Sequence, residues 1–189
     1  MDQKTLSDTI IKNALHFQNM FEVKSNAQWE DPESPHTKTK SDELRALMQA
    51  VGWKDGWPYC SSFCEAIWRK SYQDLNAPKS LIDSICSKLN PSSTDSYNNF
   101  KIDCTNTPKP GAIFFMRKGN TSLGHEGLVI SISGTTLSTI EGNTSAGKVL
   151  KDSNKDREGD GVFKKTRVLD LTPSKSKLFL RGFLNPILW

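Results

Sequence analysis

The chain has 189 residues, 35% of them hydrophobic and 24% charged, a length and balance that predict one domain spanning residues 1–189 with enough apolar surface for its own core. No apolar run approaches the roughly 20 residues of a membrane-spanning helix, and MDQKTLSDTIIKNAL at the amino end lacks the unbroken apolar stretch of a secretory leader, so the expectation is cytoplasmic synthesis without a signal peptide and no membrane insertion. A net charge of +4 suits a polyanionic neighbour, but the lysines are scattered and no run sets them among aromatics, which argues against nucleic acid.

The first expected helix covers Thr5 to Phe21, where Leu6, Ile10, Ile11, Ala14, Leu15 and Phe17 recur at helical intervals behind a cap at Thr5 or Ser7. Residues 24–41 are polar and read as a loop. Ser41 to Val51 follows as a shorter helix, with Leu44, Leu47, Met48 and Val51 on one face and Gly52 as its stop. A third helix, Cys60 to Tyr72, is entered through Gly56 and Pro58 and buries Phe63, Cys64, Ile67 and Trp68.

From Pro108 the texture changes to short β-branched or apolar runs separated by Gly, Asn and Ser: 112–116, 126–133, 135–141, 162–168 and 177–184. Ser133, Gly134 and Thr135 predict a tight hairpin, and residues 145–160 a second polar loop. Helices first and strands afterwards predict an α+β fold, with the amino-terminal helices packed on an antiparallel sheet of about five to six strands.

The cysteines stand at 60, 64, 86 and 104. No pair has CxxC spacing and neither His16 nor His36 stands at a paired-ligand distance, so structural zinc is not expected. A Cys86 to Cys104 bridge stays open. Chemistry is suggested by order: Cys60 opens a helix, His125 opens the strand-like GHEGLVISI, and TIEGNTS follows. A thiol has an ordinary pKa of about 8.5, and a helix amino terminus beside a histidine lowers it, which predicts a thiolate at Cys60. The unpaired N–H groups of that helix end are placed to hold an oxyanion. His125 would take and return the proton. Glu141 and Asn143, two apart on a strand, would share a face, where either could bind the far nitrogen of the imidazole and fix its tautomer, with Gly127 and Gly142 leaving room. Cys64, one turn inside the helix, reads as core.

These residues resemble the CHAP amidohydrolase/peptidases, papain-like relatives of the NlpC enzymes. The resemblance rests on PYCSSF, KPGAIFF, GHEGLVIS and TIEGNTSAG, followed by GDGVFKKTR and LRGFLNP, and extends to ALHFQNMFEVKSN and LMQAVGWKDGWPYC. It implies a papain-like CHAP fold with Cys60 as nucleophile, His125 as base, Glu141 and Asn143 as orienting residues, and Tyr59 and Trp57 beside the substrate. Tyr59 stands where tryptophan is usual, keeping an aromatic wall and offering a hydroxyl to the oxyanion site. Glu126 replaces a small apolar residue, and a second carboxylate there would raise the pKa of the base. Some members bind calcium through an acidic loop, but Glu30, Asp31, Glu33 and Asp55 form no such loop, so neither metal nor cofactor is expected.

The implied activity is hydrolysis of a peptidoglycan amide, as an N-acetylmuramoyl-L-alanine amidase or a stem-peptide endopeptidase, through an acyl-enzyme. The implied partner is bacterial peptidoglycan, met by a monomer at the cell wall after holin release or secretion-system delivery, with an immunity protein or delivery machinery as a further partner. Two other readings stay open: a non-catalytic wall-binding module using Trp29, Trp53 and Trp57 as platforms, and a cysteine amidase or acyltransferase acting on a non-wall substrate.

Overall fold

The computed structural model describes residues 1–24, 26–31, 33–145 and 159–189. The chain runs α1 (Gln3–Leu15), β1 (Met20–Lys24), β2 (Gln28–Glu30), α2 (Thr37–Gln49), α3 (Cys60–Asp74), α4 (Lys79–Cys86), α5 (Ser93–Asn99), β3 (Ile113–Lys118), β4 (Gly124–Ser133), β5 (Thr136–Thr144), β6 (Gly161–Val168) and β7 (Leu178–Leu184). The architecture is α+β, with helices first and the sheet mostly afterwards.

The expected first helix stops at Leu15 rather than Phe21, and its cap is Asp2, whose carboxylate accepts from the Thr5 N–H at 2.9 Å. Asn19 then takes a φ of 66°, turning the chain so that Met20 and Phe21 enter a strand. The second helix begins at Thr37, not Ser41. Ser41 lies inside it, buried, and its hydroxyl accepts the Trp29 N–H at 3.0 Å, tying α2 to β2. Gly52, at φ 90°, ends it with bonds from Trp53 N–H to the Met48 carbonyl and from Gly52 N–H to the Gln49 carbonyl, the pairing of a Schellman stop.

The α3 helix is central. Every residue from Cys60 to Trp68 is buried, which exceeds the single stripe expected from its pattern, because helices pack on one side and the sheet on the other. Two helices went unanticipated, α4 and α5, the latter capped by Ser92 accepting from the Asp95 N–H.

The sheet has seven strands in the order β2-β1-β6-β5-β4-β3-β7, every neighbouring pair antiparallel. This is slightly more than the five to six expected. The additional strands come from residues read as helix end and loop, and they exist because Met20 and Phe21 pair with Val162 and Gly161, a partner far along the chain. The hairpin at Gly134 is as expected, with Gly134 at φ 57° and Ser133 opposite Thr136. Most of the polar loop 145–160 lies outside the described residues.

Alternation along β3 builds two apolar layers. Ile113 and Phe115 join the cluster of Phe63, Ile67, Trp68, Leu128 and Ile140 beneath the helices. Ala112, Phe114 and Met116 join Val129, Leu137 and Phe183 on the other side of the sheet. Trp29 and Trp53 belong to the helix-side core at 1% and 2% exposure. Among the described residues no helix is long and apolar enough to cross a membrane.

Candidate active site

The start of α3 is fixed from behind. Tyr59, its N-cap, is fully buried and stacks edge-on against Trp29 with ring centroids 5.2 Å apart. The Tyr59 hydroxyl accepts the Trp29 indole N–H at 2.9 Å and donates to the Glu22 carboxylate. It is therefore occupied within the aromatic core and does not serve an oxyanion site, contrary to the expectation from sequence. Tyr59 offers no side-chain cap, so the first N–H groups of α3 keep their donor capacity at the positive end of the helix dipole. Phe63 N–H closes the first turn on the Tyr59 carbonyl at 2.8 Å.

Cys60, 9% exposed, lies beside the His125 imidazole, near enough to interact with it. His125 is the second residue of β4, and its Nε2 lies 2.8 Å from Glu141 Oε2 on β5, which leaves Nδ1 for the thiol. Burial pulls the imidazole's pKa down, but the interactions with Cys60 and Glu141 and their negative charge outweigh it, and His125 is held well above its ordinary range. Burial likewise pushes the Glu141 carboxyl up, and hydrogen bonds from Arg167 and His125 more than reverse this, holding it well below the usual carboxylate range.

Two glycines permit the approach. A Cβ at Gly142 would lie 2.8 Å from Phe63 Cβ, and one at Gly127 would lie 2.6 Å from Glu141 Cγ. The first lets β5 touch the start of α3; the second lets the Glu141 side chain cross β4 to the histidine.

Asn143 departs from its expected place. The register of β5 with β6 shifts between Glu141 and Thr144, and Asn143 adopts φ 52°, so the alternation that would have put it on the Glu141 face is broken. Its Oδ1 is buried and finds no hydrogen-bond partner among the described residues, while Glu141 alone takes Nε2. Trp57 is 43% exposed, with the Lys54 ammonium 5.4 Å from its ring centroid. Of the three tryptophans considered as platforms, only this one has an open face.

Glu126 does not act as a charge beside the base. It points to the opposite side of β4 from His125, is wholly buried, and among the described residues has no hydrogen bond at either oxygen, although the Ser61 and Ser93 hydroxyls approach. Burial pushes its pKa up to about 8, so at neutral pH it is mostly uncharged. Cys64 is fully buried, and burial raises its thiol pKa well above the ordinary value. Cys86 and Cys104 are free thiols, pushed by burial to about 11. Among the described residues no group of three or more His, Cys, Asp or Glu is arranged to hold a metal ion.

Two participants were absent from the sequence reading. Arg167 on β6 donates through Nε to Glu141 Oε1 at 2.8 Å and through Nη2 to Oε2 at 2.5 Å, and Thr139 Oγ1 donates to Oε1 at 2.6 Å. The TxE spacing of Thr139 and Glu141 on one strand face was a readable hint; nothing local marked Arg167.

The family comparison matches residues 50–143 to the CHAP domain. The match runs from the end of α2 through most of β5 and contains Cys60, His125, Glu141 and Asn143, but not Arg167. No curated protein and no solved structure matches the chain.

Proposed function

Since the chain is a CHAP-domain protein, we propose that it hydrolyses an amide of bacterial peptidoglycan, either the N-acetylmuramoyl-L-alanine bond or one within the stem peptide, with Cys60 as nucleophile. The observation that carries this reading is the line from Cys60 through His125 to Glu141 at the amino end of α3.

Each side chain has a step. Cys60 gives its proton to His125 Nδ1, and its sulfur bonds to the amide carbon while the carbonyl electrons move to oxygen, where the N–H groups at the start of α3 receive the charge. Collapse of this adduct expels the amine, which takes the proton from His125 and leaves a thioester on Cys60. A water gives a proton to His125 and attacks the thioester, and the acid departs as the proton returns to sulfur. Glu141 keeps the imidazole oriented throughout, the role of the third group in such a relay.

The binding-module alternative loses support, because two of its three tryptophan platforms are buried. Digestion of purified sacculi with the wild-type chain and with C60A, followed by mass spectrometry of soluble fragments, tests the proposal and identifies the bond. The expected result is release of new amine and carboxyl ends by the wild type alone. Equal release by C60A, or none from either, overturns it.

A further inference from the structure

The Glu141 carboxylate has zero exposure, yet the relay requires it to remain an acceptor while its neighbour gains and loses a proton. His125 offers a countercharge only when it is an imidazolium. In the half of the cycle where the imidazole is neutral, a buried carboxylate with no other partner would be strongly driven to take up a proton. A protonated Glu141 would donate to Nε2, force the remaining imidazole proton onto Nδ1, and remove the lone pair that must accept the thiol proton.

We propose that Arg167 is a positioning residue that prevents this exchange, holding Glu141 as a carboxylate acceptor on Nε2–H so that Nδ1 stays available to Cys60. The inference rests on the Cys60–His125 reading above, and concerns a residue outside the segment that matches the family.

The geometry carries the argument. Arg167 stands opposite Leu137 in the β5–β6 ladder, whereas Glu141 stands opposite Phe163, so the guanidinium reaches diagonally along the sheet to arrive at its carboxylate. It arrives with two N–H groups, one on each oxygen. With the Thr139 hydroxyl on Oε1 and His125 on Oε2, each oxygen has two partners, which uses the lone pairs a carboxylate presents. No acceptor site is left to carry a proton. An arginine suits this position because it does not deprotonate and its fork fixes a carboxylate in one plane. Among the described residues, the charged and titratable groups that face the imidazole are Cys60 from α3, Glu141 from β5 and, through it, Arg167 from β6; Glu126 leaves β4 on the other side.

The test uses iodoacetamide on the intact protein, with modification at Cys60 measured by peptide mass spectrometry from pH 5 to 8, so that it does not depend on the wall as substrate. Wild-type Cys60 is expected to react faster than Cys64, Cys86 and Cys104 across this range. R167M and R167Q are expected to slow the reaction near pH 6 by about tenfold or more, the scale on which an orienting outer partner matters, and to give a rate that climbs with pH. R167K, which keeps the charge but not the fork, is expected to recover part of the loss. In an E141Q background, R167M is expected to add less than about twofold, since a group acting through Glu141 has little left to lose. The inference is overturned if both neutral variants, folded by circular dichroism, keep the wild-type profile, or if R167M costs the same factor with and without Glu141. A wild-type Cys60 that reacts as an ordinary thiol would instead overturn the reading on which the inference rests.

Discussion

Glu141 and Glu126 are both carboxylates of zero exposure in neighbouring strands, yet they end in opposite chemical states. Glu141 faces His125 and is bonded at both oxygens by a histidine, an arginine and a threonine; it stays ionised far below the usual range. Glu126, beside that histidine in sequence, faces α3 and α5, has neither oxygen bonded among the described residues, and is pushed up to about 8, while its neighbour Glu65 is pushed by burial to about 7. Burial alone favours the neutral acid. What keeps a buried glutamate ionised beside the histidine is a set of donors that includes a permanent positive charge, and among the described residues Glu141 has one in Arg167.

The largest effects are expected on the bonded side. C60A and H125A should each abolish wall hydrolysis, by roughly four orders of magnitude or more, because nucleophile and base act as one unit. Both proteins should give an unchanged circular dichroism spectrum. Sacculus turbidity assays check the loss, and substantial activity in either variant would detach the histidine or the cysteine from the chemistry.

E141Q is expected to cost roughly two to four orders of magnitude, since an amide can present its N–H₂ to Nε2 and select the wrong tautomer. It should also change acid stability in a definite direction. A carboxyl held below its ordinary value of 4.5 contributes stability that is complete above that value and is lost as pH falls through the folded value. Thermal unfolding between pH 7 and pH 2 should therefore show a steeper acid decline for the wild type than for E141Q. Parallel curves would mean that Glu141 gains nothing from its partners.

The contrast between the two carboxylates also marks how far the sequence could be read. Cys60, His125 and Glu141 were legible because each sits in a local pattern: a helix opening, a strand opening, and a strand running into small residues. Strands β3 to β7 were legible for the same reason. Asn143 was misplaced because a bulge at a left-handed residue breaks the two-residue alternation, and no composition signals that in advance. β1 and β2 were missed because their pairing depends on residues 161 and 162, and α4 because its eight residues include only one that is buried, Ile85. Arg167 was illegible because its partner lies diagonally across another strand. Short-range pattern located the three side chains that the structure brings together, and the donors that keep Glu141 ionised came largely from long-range pairing.

Glu126 gives the next prediction. With a folded value near 8 and an ordinary value of 4.5, it is protonated in the folded chain and ionised in the unfolded chain across that window. The folded state binds the extra proton, so this group lowers stability as pH rises from about 4.5 to about 8. E126Q has nearly the same shape and no proton to lose. Its melting temperature should match that of the wild type near pH 4.5 and exceed it increasingly towards pH 8, with hydrolysis little changed because the group is not a charge beside the base. A constant offset at all pH values would show that the carboxyl is not held neutral, and a collapse of activity would place it in the relay.

The smallest effect separates two cysteines as the first comparison separates two glutamates. Cys60 and Cys64 lie one turn apart in α3, but Cys60 has the free helix end and the imidazole, while Cys64 has its backbone within the helix and a thiol raised by burial. C64A removes one buried sulfur from a packed interior and should cost on the order of 1 kcal/mol, a drop of about 2 to 4 °C in melting temperature for a chain of this size. Hydrolysis per folded molecule should be retained. Iodoacetamide near pH 6 should modify Cys60 well before Cys64, Cys86 or Cys104, because reactivity follows thiolate character and access rather than the presence of a sulfur. If C64A silenced the chain and C60A did not, the nucleophile would lie one turn deeper, and the donors at the helix start would have no oxyanion to hold.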